Sequence, residues 1–466
     1  MNERELKLQN GKVSSLLLEF SIPAIIGMLV NAIYNIVDRM FIGNAPGLGS
    51  LGIAGITITF PVTLILMALS LMCGVGGSTR FSISLGQQNN KAASKYLGNS
   101  FILTVSFGAL FMIFGNIFME PILKFLGSSQ TVLPYAKEYL SIILFGAIFQ
   151  CVSMVGNNFS RAQGNPKNAM ISQLIGAGFN IVFDYILIFK FDMGMAGAAW
   201  ATIGGQFLSM IWQLAFLFGK RTIIRITLAT MKPDFTYIKS IITTGAPAFL
   251  LQIANSMLSF VLNSSLGSYG GDIAITTVGI VTSVQTLILM PITGITQGQL
   301  PIVSYSFGAK RMDRGKEAVK LSIIAASAYT IVSFIVIQLF PGAIVSAFNN
   351  EVEVVELGKN ALRIWFMVLP VVGAQMCCAQ YFQAVGQVKK ASFLNLTRQV
   401  IILIPLIIIL SNMFGLYGIF LSIPIADAIS FCITVLFAFR KEMKQLQQVV
   451  TEEKEKENEA EDLVIE

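Results

Sequence analysis

The chain has 466 residues, 54% of them hydrophobic and only 12% charged, with a formal net charge of +7, five cysteines and no histidine. Soluble domains carry about 25% charged residues, so no soluble core hides this much apolar surface and the chain is expected to cross a bilayer repeatedly. The positive charge is scattered over separate loops, which excludes a nucleic-acid-binding face, and the absence of histidine confines any proton chemistry to carboxylates.

Residues 1–13 read as a polar, basic, amphipathic lead-in. The apolar run that begins near Ser14 is too long for a signal peptide and lacks its small-residue cleavage site. Spans are predicted at 14–42, 51–79, 97–119, 134–159, 168–190 and 195–219, a six-helix N-terminal lobe over 14–219. A basic cytoplasmic linker at 220–239 leads into spans at 240–266, 273–307, 318–340, 359–385, 392–413 and 416–439, a second lobe over 240–439. Each run is long enough for a hydrocarbon core of about 30 Å at roughly 1.5 Å per residue. The tail at 440–466 is highly charged and is expected to be a solvated helix end passing into disorder. Cys73, Cys151, Cys377, Cys378 and Cys432 all lie in apolar runs without metal-like spacing and read as small buried hydrophobes.

Of the 32 Lys and Arg, only Lys124, Lys137, Lys190, Lys359 and Arg363 fall on the side opposite the N-terminus, with Arg39 and Arg398 inside spans. That bias puts both termini in the cytoplasm of a multi-pass cell-membrane protein. The second half repeats the first at an offset near 222. SIPAIIGMLVNA at Ser21–Ala32 lies over GAPAFLLQIANS at Gly245–Ser256, TLILMAL at 63–69 over TLILMPI at 286–292, and RAQGNPKNA at 161–169 over QAVGQVKKA at 383–391. Six spans per half give both halves one orientation. The expected fold is therefore all-α, twelve transmembrane helices in two pseudo-twofold-related six-helix lobes around a central cavity.

Ionisable groups inside spans are few. Asn180 and Asp184 stand four residues apart on the fifth span, which stacks them on one helical face. Thr202 begins the sixth span, and a hairpin turning at Phe191–Gly194 brings its hydroxyl to similar depth. An acid in such a run costs about 3 kcal/mol on insertion scales, which an ion or proton is the usual reason to offset. Asp38 follows Asn31 and Asn35 along the first span. It is either part of that buried polar face or close enough to the outer end to snorkel or pair with Arg39. Asn180 and Thr202 taken singly could be helix glue. Together, two carboxylates, an amide oxygen and a hydroxyl suit a small hard cation, or a carboxylate pair sharing one proton. Pro23 with Gly27 is either a hinge in the first helix or a tolerated kink. In the second half Arg398 and Asp427 are the charges well inside spans, and read either as a structural ion pair or as a substrate-facing acid.

The string NIVDRMFIG at Asn35–Gly43, RAQGNPKNA, NIVFDYILIF at Asn180–Phe189 and GMAGAAWAT at Gly194–Thr202, in this order and recurring by halves, resemble the multidrug and toxic compound extrusion (MATE) family from about residue 15 to 440. The resemblance implies export of bulky, often cationic drugs in exchange for Na⁺ or H⁺, with the cation held by Asp38, Asn180, Asp184 and Thr202. Many bacterial members place Pro after the fifth-span acid where this chain has Tyr185, which implies a different local kink beside the ligands. The expected function is a cation-coupled antiporter for amphipathic, cationic small molecules working by alternating access, with no cofactor, no structural metal beyond transient Na⁺, no nucleic-acid partner, and a monomer in the bilayer. Asn31, Asn35 and Asp427 are candidate cavity residues. A lipid-linked glycan or lipid flippase is the alternative, for which a wide base-lined cavity would be expected. An enzyme lacks its inventory, with no HExxH and no nucleophile–base pair, and a channel fits twofold repeats with buried acids less well than a carrier.

Overall fold

The computed structural model describes residues 3–435, except 46, 47, 221, 228, 270 and 350. The charged tail expected at 440–466 lies outside the described residues. Apolar runs free of long polar interruptions close their backbone hydrogen bonds within themselves, as a bilayer requires. The first half contributes α1 (Val13–Asn44), α2 (Gly49–Gly86), α3 (Asn90–Ile117), α4 (Leu133–Phe145 with Ala147–Ala162), α5 (Pro166–Tyr185, continued by Ile186–Lys190) and α6 (Gly194–Phe218). The second contributes α7 (Phe235–Tyr269), α8 (Gly271–Gly308), α9 (Met312–Leu339), α10 (Val352–Trp365 with Leu369–Ala384), α11 (388–414) and α12 (416–433).

Twelve spans emerge once three local features are recognised. Both α4 and α10 are bent, by 52° and 51°, at breaks of one and three residues. The apolar stretch Val388–Ile433 runs on through 46 helical residues, yet Gly415 has φ +58° and ψ −135°, so the chain reverses there. A Cβ on Gly418 would sit 1.9 Å from the Leu410 carbonyl oxygen, so only glycine closes this hairpin. Arg398 and Asp427 meet at 2.7 Å across it, although 29 residues of straight helix would hold them about 43 Å apart.

The repeat reaches the backbone itself. Left-handed residues recur in pairs: Gly49 with Gly271, Gln88 with Lys310, Gly164 with Gly386, and Gly194 with Gly415. Short helices at Met119–Phe125 and Pro341–Ser346 also correspond, and neither is anticipated by the hydropathy pattern. Several helices outrun their predicted spans, notably α2 to Gly86 and α10 back to Val352. Polar residues at span ends go on making helix hydrogen bonds beyond the apolar run. Cys73, Cys151, Cys377 and Cys378 are buried as expected, whereas Cys432 is exposed on α12.

The two lobes touch mainly at the end of the bundle that carries the N-terminus, here the near end. One apolar cluster there draws on both lobes, including Leu16, Phe20, Phe81 and Phe159 with Leu300 and Phe382. In the far half each lobe has its own core, around Ile42, Ile143 and Ile203 in the first and Leu262, Ile407 and Phe420 in the second. Close backbone approach, rather than expulsion of water, holds helices together in hydrocarbon. A Cβ on Gly86 would lie 2.2 Å from the Tyr305 carbonyl oxygen, and one on Gly308 would lie 2.0 Å from that of Ile83, a symmetric pair 222 residues apart. Cross-lobe polar contacts cluster in the same half: Arg80 Nε to Thr244 Oγ1 at 2.8 Å, Lys95 to Asp234 at 2.9 Å, and Tyr96 to Ser240 at 3.3 Å. The helix Glu3–Asn10 completes the closure, because Arg314 of α9 donates to the carbonyls of Leu8 and Gly11 at 3.2 and 2.6 Å. The far end is the open one.

Candidate cation site

Three helices of the first lobe bring the predicted polar residues together. α1 and α5 cross closely at Gly27, where a Cβ would stand 1.7 Å from Gln173 Oε1. Further along the same crossing, Asp38 on α1 and Asp184 on α5 face each other within hydrogen-bonding range. Asp184 is 0% exposed and Asp38 8%. Asn180, one turn before Asp184, turns its amide to α6 and donates to Thr202 Oγ1 at 3.3 Å. The hairpin that sets Thr202 at this depth is made by left-handed residues at Asp192 and Gly194.

The arrangement is rich in acceptors and poor in donors. Asp38 Oδ1, both carboxyl oxygens of Asp184 and Asn180 Oδ1 are buried without a hydrogen-bonded partner of regular geometry. Native interiors rarely leave such atoms unpaired, since each costs about 1–3 kcal/mol or more. Four orphan oxygens converging on one place are what a small hard cation or an added proton would satisfy. Arg39 stays near Asp38 in charge but does not pair with it. Its guanidinium lies over the Phe60 ring, 5.9 Å from the centroid.

Two tyrosines complete the surroundings, and sequence reasoning missed both. Tyr139 of α4 is buried beside the two acids and Thr202, while half-buried Tyr34 of α1 stands near Asp38 and Asn35. The available signal was a phenol inside an apolar run, since a buried Tyr normally needs a polar partner. Asn31 and Asn35 do not enter the centre. Asn35 donates its amide to the Asn31 carbonyl at 2.6 Å and is exposed, and Asn31 is half-buried, so of the three-residue polar stripe only the acid is buried.

The helix adapts at the residue where a proline is common in the resembled family. With Tyr185 in that place α5 stays α-helical through the acid. It then widens into a π-helical stretch at Ile186–Lys190. Such stretches often mark functional positions. Tyr185 packs with Phe41 and Phe189 at 6.3 and 5.7 Å, an aromatic lid on the far side of the acids. Pro23 stays within a continuous α1, buried where Gly294 and Gly298 of α8 press against Ile25 and Ser21. The second lobe carries an ion pair instead: Arg398 Nε donates to Asp427 Oδ1 at 2.7 Å, with the side chains 16% and 8% exposed.

Comparison with known proteins agrees on one family. The MatE family profile matches residues 23–186 and 247–409. The multidrug export protein MepA of Staphylococcus aureus (strain MSSA476) is 28% identical over 438 residues, 94% of this chain and 96% of its own. MepA of Staphylococcus saprophyticus is 29% identical over 429 residues, 91% and 93% of the two chains. Among solved structures, the outward-facing conformation of a multidrug resistance MATE family transporter of the MOP superfamily has a TM-score of 0.90 at 24% identity, covering 96% of this chain and 100% of the other.

Proposed function

This chain belongs to the MatE family, and from that premise we propose that it exports amphipathic, cationic small molecules in exchange for Na⁺ or H⁺, with Asp38, Asn180, Asp184 and Thr202 as the coupling site. The observation that carries the proposal is the facing pair of buried carboxyls with unpaired oxygens. Two carboxylates about 4 Å apart repel by about 4 kcal/mol at an effective dielectric of about 20. A shared proton or a sodium ion removes that repulsion. Cation binding therefore draws α1 and α5 together, and cation loss loosens them.

Such a difference is enough for coupling. If the cation prefers one arrangement of the lobes and the drug the other, each drives the release of its counterpart without any chemical step. The basic-residue bias places the near end in the cytoplasm and the far-end cleft outside. Cysteines introduced at Ser129 and Ala347 are then labelled by an impermeant reagent in intact cells, and ones at Lys91 and Lys310 are not. Labelling at Lys91 would reverse the orientation. We take the working unit to be a monomer in the bilayer, because one lobe holds every candidate cation ligand.

The decisive assay uses the purified chain in proteoliposomes, with Na⁺ and pH gradients imposed separately while movement of a fluorescent lipophilic cation is followed. Counter-movement driven by one of the gradients is expected. Indifference to both would refute cation coupling.

A further inference from the structure

Arg161 ends α4 at the near end and is 7% exposed. It belongs to the repeated RAQGNPKNA string, yet the cation site makes no use of it. Among the described residues its hydrogen-bonded partner is Asn158 Oδ1 at 3.1 Å, and no carboxylate stands within 4.0 Å. A guanidinium has five N–H donors. Here one neutral acceptor faces them. Buried charges are ordinarily paired, because an isolated ion in a low-dielectric surrounding is strongly disfavoured. The C-terminus of α4 supplies only about half an elementary charge of opposite sign, so the local helix leaves the cation under-compensated.

Beside this guanidinium is a small cavity lined by Ser78 and Ser82 of α2, Asn158 and Arg161 of α4, and Gln297, Leu300 and Pro301 of α8. Ser82 is 1% exposed, and its hydroxyl lacks a partner. Gln297 also presents an unpartnered amide oxygen, while its NH₂ makes only a weak contact to Met28 Sδ at 3.9 Å, and a flip that gives up that contact turns the NH₂ inward. The cavity has room for about one water-sized particle, which excludes a drug, a peptide or a lipid headgroup. A buried positive charge, a free hydroxyl and an adaptable amide around so small a space describe a receptor for a compact monovalent anion.

We propose that this pocket binds chloride, or an anion of its size, and that the anion holds the two lobes together at the near end. Ser82, Asn158 and Arg161 belong to the first lobe, and Gln297, Leu300 and Pro301 to the second. Parting the lobes removes one wall. Bound anion therefore favours the far-end-open state, and the opposite state releases it, by the linkage that governs any ligand with unequal affinity for two conformations.

The test uses the full-length purified chain at constant ionic strength, replacing gluconate by chloride. One readout is the thermal midpoint. The other is cross-linking between cysteines at Lys95 and Asp234, which face each other across the closed end. A saturable rise in both with chloride is expected, absent in Arg161→Gln and displaced to at least tenfold higher chloride in Ser82→Ala. Should Arg161→Gln fail to fold, Gln297→Leu decides, because it alters only the second-lobe wall and must also weaken the response. A rise that is linear in chloride, or equal in parent and variants, overturns the site. Both readouts are independent of transport, so failure of the coupling proposal would leave this one standing, and the reverse.

Discussion

The two lobes share one chain plan and solve the problem of intramembrane charge in opposite ways. In the first lobe two acids face each other with no base, and four of their own and their neighbours' oxygens lack donors. In the second, the one buried acid among the described residues, Asp427, is paired to Arg398. The positions that correspond to Asp38, Asn180, Asp184 and Thr202 are Leu262, Ile402, Leu406 and Ile423, and all four pack in the second lobe's apolar core. Tyr139 likewise corresponds to Ala361, which is fully buried there. If polar groups were needed merely to join these helices, the second lobe would need them too. It joins the same helices with aliphatic packing. The comparison teaches that the first lobe's unpaired acids answer to something outside the chain, whereas the second lobe's acid is answered from within it.

The π-helical stretches follow the same division. One comes directly after Asp184, and the other, Thr397–Leu403, contains Arg398 and does not occupy the corresponding place. Each lobe has widened its helix where its own charge sits.

The comparison breaks most sharply on the acids. Asp38→Asn and Asp184→Asn keep size and hydrogen bonding but cannot neutralise a cation. At matched protein levels each should reduce gradient-driven efflux to that of protein-free vesicles, while Asp427→Asn keeps its ion response. Loss of ion dependence in Asp427→Asn with retention in the other two would move the coupling site to the second lobe. Next in size, Arg398→Leu leaves Asp427 buried without its partner and should cost about 3 kcal/mol or more in stability. Adding Asp427→Leu should return most of it, as read from melting midpoints. No recovery in the double variant would mean that the pair has a role beyond mutual neutralisation.

Leu406→Asp transplants an acid into the second lobe without the orphan oxygens that surround it in the first. A cost of about 3 kcal/mol, and no second ion response, is expected from the insertion penalty. A gained ion response would show that the lobes are interchangeable. A smaller change, Tyr139→Phe, removes a buried hydroxyl that stands beside the two acids and Thr202. At about 1 kcal/mol for one polar contact it should weaken apparent ion affinity about fivefold and leave maximal efflux intact. An unchanged affinity would remove Tyr139 from the site.

The smallest effect lies outside the membrane, at Glu120 beside Lys124 at 2.7 Å and Lys137. Hydrogen bonds from the two lysines pull the Glu120 carboxyl down to about 2 from its ordinary 4.5. A lowered carboxyl pKa stabilises the fold above the ordinary value, and that contribution disappears as pH falls from 4.5 toward 2. Lys137→Met should flatten this part of the pH–melting profile slightly, and high salt should do the same to the parent. An unaltered profile would show the contact to be energetically silent. At the same end of the second lobe, the described residues offer the simpler Glu356–Lys359 contact, at 2.7 Å, to set beside it.

Much of this organisation is legible along the chain. The long apolar runs demand helices because a backbone in hydrocarbon has no other source of hydrogen bonds. The offset of 222 implies paired lobes, and Asn180 and Asp184 share a face by the helical period alone. Tyr139 and Tyr34 escaped notice because a tyrosine in a span resembles an interfacial anchor until its neighbours are known. Asn35 shares a helix with Asp38 but is exposed, and its amide nitrogen bonds the Asn31 carbonyl of its own helix, so spacing alone could not tell which polar residue of the stripe is buried.

What the sequence by itself determined is the set of local conformations and their twofold recurrence, since both follow from hydrogen-bond closure and side-chain periodicity within short windows. Tertiary structure alone decided three other things: that Asp38 faces Asp184 rather than Arg39, that Arg398 meets Asp427 across the Gly415 reversal, and that Arg161 lies at the lobe seam without a counter-charge. Each depends on how helices far apart in the chain rotate and approach. Those rotations are set by glycine contacts such as Gly27, Gly86 and Gly308, where one added carbon would push the helices apart.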